Sequence, residues 1–377
     1  MLARVAIPGY DDARRKAIFV VVAGALAVVV GSLNLMFLGL MGVHKTGPHP
    51  TPTPNITFSG YQVSVFYATD RKKIQTAQQG GVVYGVSSSP DLAYGICEVH
   101  IPVSHRKGEL EDVSEWVFFP DHEKSLEVRR TEEMPDLQFF NKLNDVVHTK
   151  KELLVFVHGY NVSFIDAARR TAQLAFDLEY PAIPVMYSWP SQASKIGYSA
   201  DEASARYAAF HLEKFLGQLS QLSGANAIHI VAHSMGNRAL LEALTAMAAK
   251  QKHAQKPRFQ QIVLAAPDID ARVFGELAKR FPSTADHFTV YSNMQDKALA
   301  LSALLHFSAA QGSISMGYKD IDIIDASQIP GDWLDHSTFA TSRVLLTDIN
   351  SVLRGIVPAG KRFGMRQAPD GHFYISP

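Results

Sequence analysis

A single cysteine, Cys97, excludes an intrachain disulfide and a cysteine-built zinc cage in this chain of 377 residues. The fold must rest on its apolar core without covalent staples. Neither charge is in surplus: 36 Lys+Arg face 36 Asp+Glu. That balance argues against a nucleic-acid partner, because neutralising phosphates takes a basic surplus on one face. Nor is the chain poor in apolar residues. At 47% hydrophobic and 19% charged it is globular, not disordered. No internal repeat is visible.

One stretch has no charge at all. Ala17 to Val43 is uncharged and mostly apolar. At ~1.5 Å per residue it reaches ~40 Å as a helix, beyond the ~30 Å hydrocarbon core. A cleaved signal peptide has a shorter apolar region, ~7–15 residues, and ends at small residues. Gly39 to Val43 offers a poor site of that kind. The expectation is an uncleaved membrane anchor over residues 17–43. Arg14, Arg15 and Lys16 precede it and only Lys45 follows closely. By the positive-inside rule, residues 1–16 are then cytoplasmic and the rest is exported, giving a single-pass inner-membrane protein with a periplasmic body. Residues 44–57 contain Pro48, Pro50, Pro52 and Pro54. They read as a polyproline-type spacer of ~35 Å.

From Phe58 the pattern becomes globular. Tyr61, Val63, Val65 and Tyr67 alternate as in a strand, and 94–103 and 113–119 are further strand candidates. This opening third reads as antiparallel. From Glu152 strands and helices alternate: strands at 153–157, 184–189, 227–232, 261–266, 287–292 and 321–325; helices at 163–179, 201–222, 236–250, 271–280, 296–307 and 339–353. Repeated β-α units imply a mostly parallel, doubly wound α/β sheet over 58–355. The tail, 356–377, reads as a flexible segment.

The most informative stretch is Ile228-His229-Ile230-Val231-Ala232-His233-Ser234-Met235-Gly236-Asn237. A strand runs into A-H-S-M-G and then a helix. This is the nucleophile elbow G-x-S-x-G, with Ala232 in place of the first glycine. The turn demands small residues two before and two after the serine, and both are small. Ser234 would stand at the carboxyl edge of the sheet, where α/β sheets bind ligands.

A serine needs a base, and the base needs an orienting acid. In this fold the chain order is Ser, acid, His. Of the later histidines, His253 lies in a basic loop, His287 at the amino end of a strand, His306 inside a helix and His372 in the tail. His336 follows the last strand and is the candidate base. Asp296, after the 287–292 strand, is the leading acid, and Asp268 is the alternative. The oxyanion donors are the Met235 N–H and, from His158-Gly159-Tyr160-Asn161, the Tyr160 N–H. His158, His229 and His233 read as packed or bracing. No metal or organic cofactor is expected.

Further motifs join this set: Phe66-Tyr67-Ala68-Thr69-Asp70-Arg71, Phe156 to Asn161, Tyr187-Ser188-Trp189-Pro190 and Ala266-Pro267-Asp268-Ile269-Asp270. Together, over roughly Gln62 to Leu346, they resemble a bacterial α/β-hydrolase family of unknown function (DUF900). The resemblance implies an esterase- or lipase-like hydrolase without an assigned substrate. It carries over Ser234 as nucleophile, and Asp296 and His336 by position. Two other outcomes fit the same residues: an acyltransferase with the same triad, and a non-catalytic envelope protein on a hydrolase scaffold. The Ser-rich loop 191–195 is short, so a fairly open site without a long lid is expected.

Overall fold

The structure is a computed structural model and describes residues 60–77, 81–111, 124–194, 196–250, 258–292, 321–329, 338–355, 357–369 and 371–377. They belong to one unit, Phe58–Pro377. The expected anchor 17–43 and spacer 44–57 lie outside the described residues, as do the strand expected at 113–119 and the helix expected at 296–307. Among the described residues no helix is long and apolar enough to cross a membrane.

The chain opens with three strands, β1 (Gly60–Ala77), β2 (Gly81–Pro102) and β3 (Glu127–Met134), paired antiparallel in sequence order. Helix α1 (Asp136–Lys150) follows, with Phe139, Phe140, Leu143 and Val147 on its buried face. Then come β4 (Glu152–Val157), α2 (Phe164–Asp177), β5 (Ile183–Ser188), α3 (Tyr198–Leu222), β6 (Ala227–His233), α4 (Gly236–Lys250), β7 (Phe259–Ala265), α5 (Ala271–Leu277), β8 (Ala285–Ser292) and β9 (Ile321–Asp325). The chain closes with α6 (Thr338–Thr341), α7 (Arg343–Leu353), β10 (Met365–Gln367) and β11 (Phe373–Ile375). The sheet has 11 strands in the order β10-β11-β9-β8-β7-β6-β4-β5-β1-β2-β3. From β11 to β1 all neighbours are parallel, and both edges are antiparallel.

The central strands are buried on both faces, as a parallel sheet between helices requires. Along β4, Leu153, Val155 and Val157 enter one core with α1, α3 and α4. Leu154 and Phe156 enter the other, with α2 and α7. Beneath β1 and β2 a third cluster packs on α2 and encloses Cys97. Burial pushes the Cys97 thiol up to about 12.

Three features depart from the sequence expectations. First, α1 had not been foreseen, although its buried residues have helical spacing. Second, the helix expected over 339–353 is two helices, broken at Ser342, whose hydroxyl accepts the Leu345 N–H and caps α7. Third, the segment 356–377 is not a loose tail. β11 pairs with β9, and Ile375 is fully buried. The Arg362 side chain, also fully buried, pairs with Asp322 at 2.8 Å and Asp348 at 3.6 Å. Composition hid this docking, because its anchors are a few separate residues and not an apolar run.

A further difference bears on the site. The last β1–β5 pair is Thr69 with Ser188, but β1 and β2 continue as a two-stranded arm. In it Arg71 to Ala77 pairs with Gly81 to Ser88, and the arm folds back over the sheet, since Gly81 pairs with Thr131 of β3 and Tyr84 Oη lies 3.2 Å from Tyr67 Oη. The loop 191–194 docks on this arm, since Gln192 Nε2 donates to the Val86 carbonyl at 3.3 Å. A hairpin therefore flanks the rim where only a short loop was foreseen.

Candidate active site

Ser234 sits between the end of β6 and the start of α4 with φ +49°. Positive φ is uncommon for a residue with a Cβ and is held only where the surroundings over-determine it. Here they do. The Ser234 N–H donates to the Ala265 carbonyl at 3.0 Å. Its own carbonyl accepts from the Asn237 N–H at 3.1 Å, the Asp268 N–H at 3.3 Å and Asn237 Nδ2 at 2.9 Å. Thus the backbone is pinned, and the half-buried hydroxyl has no hydrogen-bond partner among the described residues.

The small residues have steric reasons. A Cβ on Gly236 would lie 2.3 Å from the His158 carbonyl oxygen and 3.0 Å from that of Val157. A Cβ on Gly159 would lie 2.9 Å from Ser234 Cβ. The loop after β4 therefore packs directly on the serine. It also carries Tyr160, one of the two expected oxyanion donors. The other, Met235, is fully buried at the N-terminus of α4, where the helix dipole favours negative charge.

The structure places the loop residues around this turn. Asp201, fully buried, accepts from Ser191 Oγ at 2.5 Å, the Gln192 N–H at 2.6 Å and the Asn161 N–H at 3.4 Å. It ties the loop after β4 to the loop after β5. Asp268, the alternative acid, is engaged elsewhere. Its carboxylate accepts from Tyr198 Oη at 2.7 Å and Arg238 Nη2 at 3.1 Å, and the Tyr198 ring packs on Tyr160 at 5.5 Å. No imidazole is among its partners in the described residues. Asp270 caps α5 by accepting the Arg272 N–H at 2.9 Å.

The three histidines before or beside the serine are packed. His233 stacks on Phe339 at 4.5 Å. His229 contacts Glu152 and Tyr180 at 3.3 Å, and burial pushes its pKa down. His158 is buried and stacks on Trp189 at 5.0 Å. Burial, and then the Arg71 charge, lower its pKa to about 3, so it stays neutral across the physiological range.

The remaining triad candidates, Asp296 and His336, lie outside the described residues. Their anchoring points do not. β8 and β9 end on the same carboxyl edge as β6. The Phe339–His233 stack brings the chain just after position 336 back beside the serine turn. Among the described residues no group of three or more His, Cys, Asp or Glu side chains is arranged to hold a metal.

This scaffold has a match. The family described as alpha/beta hydrolase of unknown function (DUF900) covers residues 137–353. The chain belongs to this family. The match takes in the sheet from β4 to β9, the serine turn and α7, so the hydrolase-like scaffold follows from sequence and architecture alike. The three opening strands precede the matched region. No curated protein matches the chain. Two further residues had no role in the sequence reading: Arg71, the last residue of a motif there, and Asp201, which only opened an expected helix. The only signal for Arg71 was a charged pair, Asp70-Arg71, directly after an apolar strand.

Proposed function

We propose that this DUF900 alpha/beta hydrolase is a membrane-anchored serine hydrolase of carboxylic esters. Ser234 Oγ attacks the acyl carbonyl, and its proton passes to His336. Asp296 holds the imidazole in the tautomer that can accept it. The negative oxygen of the tetrahedral intermediate rests on the Met235 and Tyr160 N–H groups. His336 returns the proton to the departing alcohol. Water then cleaves the acyl-enzyme by the same steps in reverse, with no metal or organic cofactor.

The observation that carries this reading is the strained Ser234 turn, packed against Gly159 at the head of α4. Two others support the partners. The Asp268 carboxylate is already held by Tyr198 and Arg238, which favours Asp296 as the acid. The return of the chain at Phe339 favours His336 as the base. Residues 17–43 anchor the body, and residues 44–57 hold it off the bilayer on the periplasmic side.

The test is labelling of the full-length protein with a fluorophosphonate probe. Wild type labels and Ser234→Ala does not; equal labelling of both rejects the nucleophile. Ester turnover in His336→Ala should fall by several orders of magnitude. Asp296→Asn should lose more kcat than Asp268→Asn, and the reverse order would move the acid to Asp268. An alkaline-phosphatase fusion after Pro54 should be active if the body is exported.

A further inference from the structure

Arg71 is unusual in the energetics of this fold. Its side chain is 1% exposed, yet among the described residues no carboxylate lies within ion-pair distance of it. Burying a charge is costly unless its donors are all satisfied. They are satisfied here by neutral acceptors. Nε donates to Ser188 Oγ at 2.9 Å. Nη1 donates to the carbonyls of Gly85 and Ser191, both at 3.1 Å. Nη2 donates to the Val162 carbonyl at 2.8 Å and to His158 Nε2 at 3.4 Å.

The last contact decides a proton position. A guanidinium can only donate, so His158 Nε2 must accept. Ser188 Oγ, which already accepts from Arg71, donates to the same nitrogen at 3.3 Å. At the other side of the ring, Nδ1 lies 2.8 Å from the Gly159 carbonyl oxygen, which can only accept. The imidazole is therefore neutral, with its proton on Nδ1. The Gly159 carbonyl is thereby drawn toward the ring. The Gly159–Tyr160 peptide is trans, so its C=O and N–H point in opposite directions. Holding the Gly159 oxygen on His158 thus aims the Tyr160 N–H away from the imidazole. The His158 carbonyl is itself fixed, because Trp189 Nε1 donates to it at 2.7 Å.

We infer that Arg71 and His158 are positioning residues: Arg71 locks the His158 tautomer, and His158 in turn sets the direction of the Tyr160 N–H. This rests on the serine-hydrolase reading, in which that N–H receives the oxyanion. The relay runs from the hairpin arm through β5 to the loop after β4. It gives the arm a role in chemistry, exerted through the contact of Arg71 with His158. It also explains why β5 ends in a serine at position 188, where a hydroxyl must accept from one neighbour and donate to the next.

The experiment uses full-length protein in five forms: wild type, Arg71→Lys, Ser188→Ala, Ser234→Ala and, for spectral assignment only, His158→Ala. Active sites are titrated with the fluorophosphonate probe, so that kcat for an activated short-chain ester is counted per labelled serine. A purely structural role would reduce the labelled fraction and leave kcat per labelled site unchanged. Removing an oxyanion donor costs ~10²–10³ in rate, so misaiming one should cost less. The expected result for Arg71→Lys is a fall in kcat per site of about 10- to 100-fold, with KM within about twofold. Ser188→Ala should show a smaller fall in the same direction. Nitrogen-15 spectra of histidine-labelled wild type, assigned against His158→Ala, should show a neutral ring protonated on Nδ1. A proton on Nε2, or wild-type kcat per site in the folded variant, overturns the inference; if Arg71→Lys does not fold, Ser188→Ala decides. Undiminished labelling of Ser234→Ala would instead remove the underlying reading, and the relay's catalytic role with it.

Discussion

Replacing Gly236 by alanine tests how tightly the serine turn is packed. The added methyl would sit 2.3 Å from the His158 carbonyl oxygen, about 1 Å inside ordinary contact, which begins near 3.4 Å. The obstacle is backbone and cannot swing aside. That carbonyl also accepts from Trp189 Nε1 at 2.7 Å, so moving it strains a second contact. Overpacking of this kind costs ~1–3 kcal/mol. At ~2–4 °C per kcal/mol the melting temperature should fall by roughly 2–12 °C. Turnover should suffer more, because a misplacement of ~1 Å at reacting groups costs about 10²-fold. Gly217 is the control. It lies inside α3, and a Cβ there meets nothing within 4 Å. Gly217→Ala should stabilise the protein by about 0.5–1 kcal/mol, through the lower chain entropy of alanine. Thermal unfolding followed by circular dichroism, with ester turnover alongside, measures both. If Gly236→Ala melts and turns over like wild type, the close approach of the two loops is wrong. If Gly217→Ala is the more damaging of the two, the steric reasoning fails altogether.

Other consequences are independent of the catalytic reading. His105, with its side chain only 3% exposed, sits between Glu111 and Asp177, each at 2.9 Å. Burial alone would lower its pKa, but hydrogen bonds and charge from the two carboxylates outweigh it and raise it. A raised folded-state pKa stabilises fully below the ordinary histidine value of ~6.5, and the gain is lost as pH rises through the folded value. The urea midpoint of wild type should therefore exceed that of His105→Gln at pH 6, with the gap narrowing in alkali; a gap that widens with pH contradicts the clasp. Arg362→Met leaves the buried Asp348 and the half-buried Asp322 without their cation and should cost about 3–5 kcal/mol in urea unfolding. An unchanged midpoint would mean that the chain after Pro358 is not docked. Cys97, buried and with its thiol pushed up to about 12, should resist Ellman's reagent until the protein is unfolded.

Local order carried much of this structure. The apolar run Leu153 to Val157 is a two-faced buried strand because each residue supplies one face or the other in turn. The helix 236–250 was legible to the residue, since its small residues and leucines follow the helical period. The serine turn was legible for a related reason. A sharp bend between strand and helix needs small residues at fixed offsets, and such offsets survive in a linear chain. Charge-free length at 17–43 and charge asymmetry around it are likewise properties of the sequence alone.

What the sequence did not disclose depends on partners distant along the chain. Arg71 reads as an ordinary charge after a strand; only folding surrounds it with Gly85, His158, Val162, Ser188 and Ser191. Asp268 reads as a candidate acid until Tyr198 and Arg238 are found on its carboxylate. The tail reads as loose until Asp322 and Asp348 arrive from β9 and α7 to meet Arg362. Periodicity reports which face of an element is apolar. It carries no information on which polar groups will meet, because those meetings are set by the stacking order of the strands and the direction in which each loop leaves the sheet.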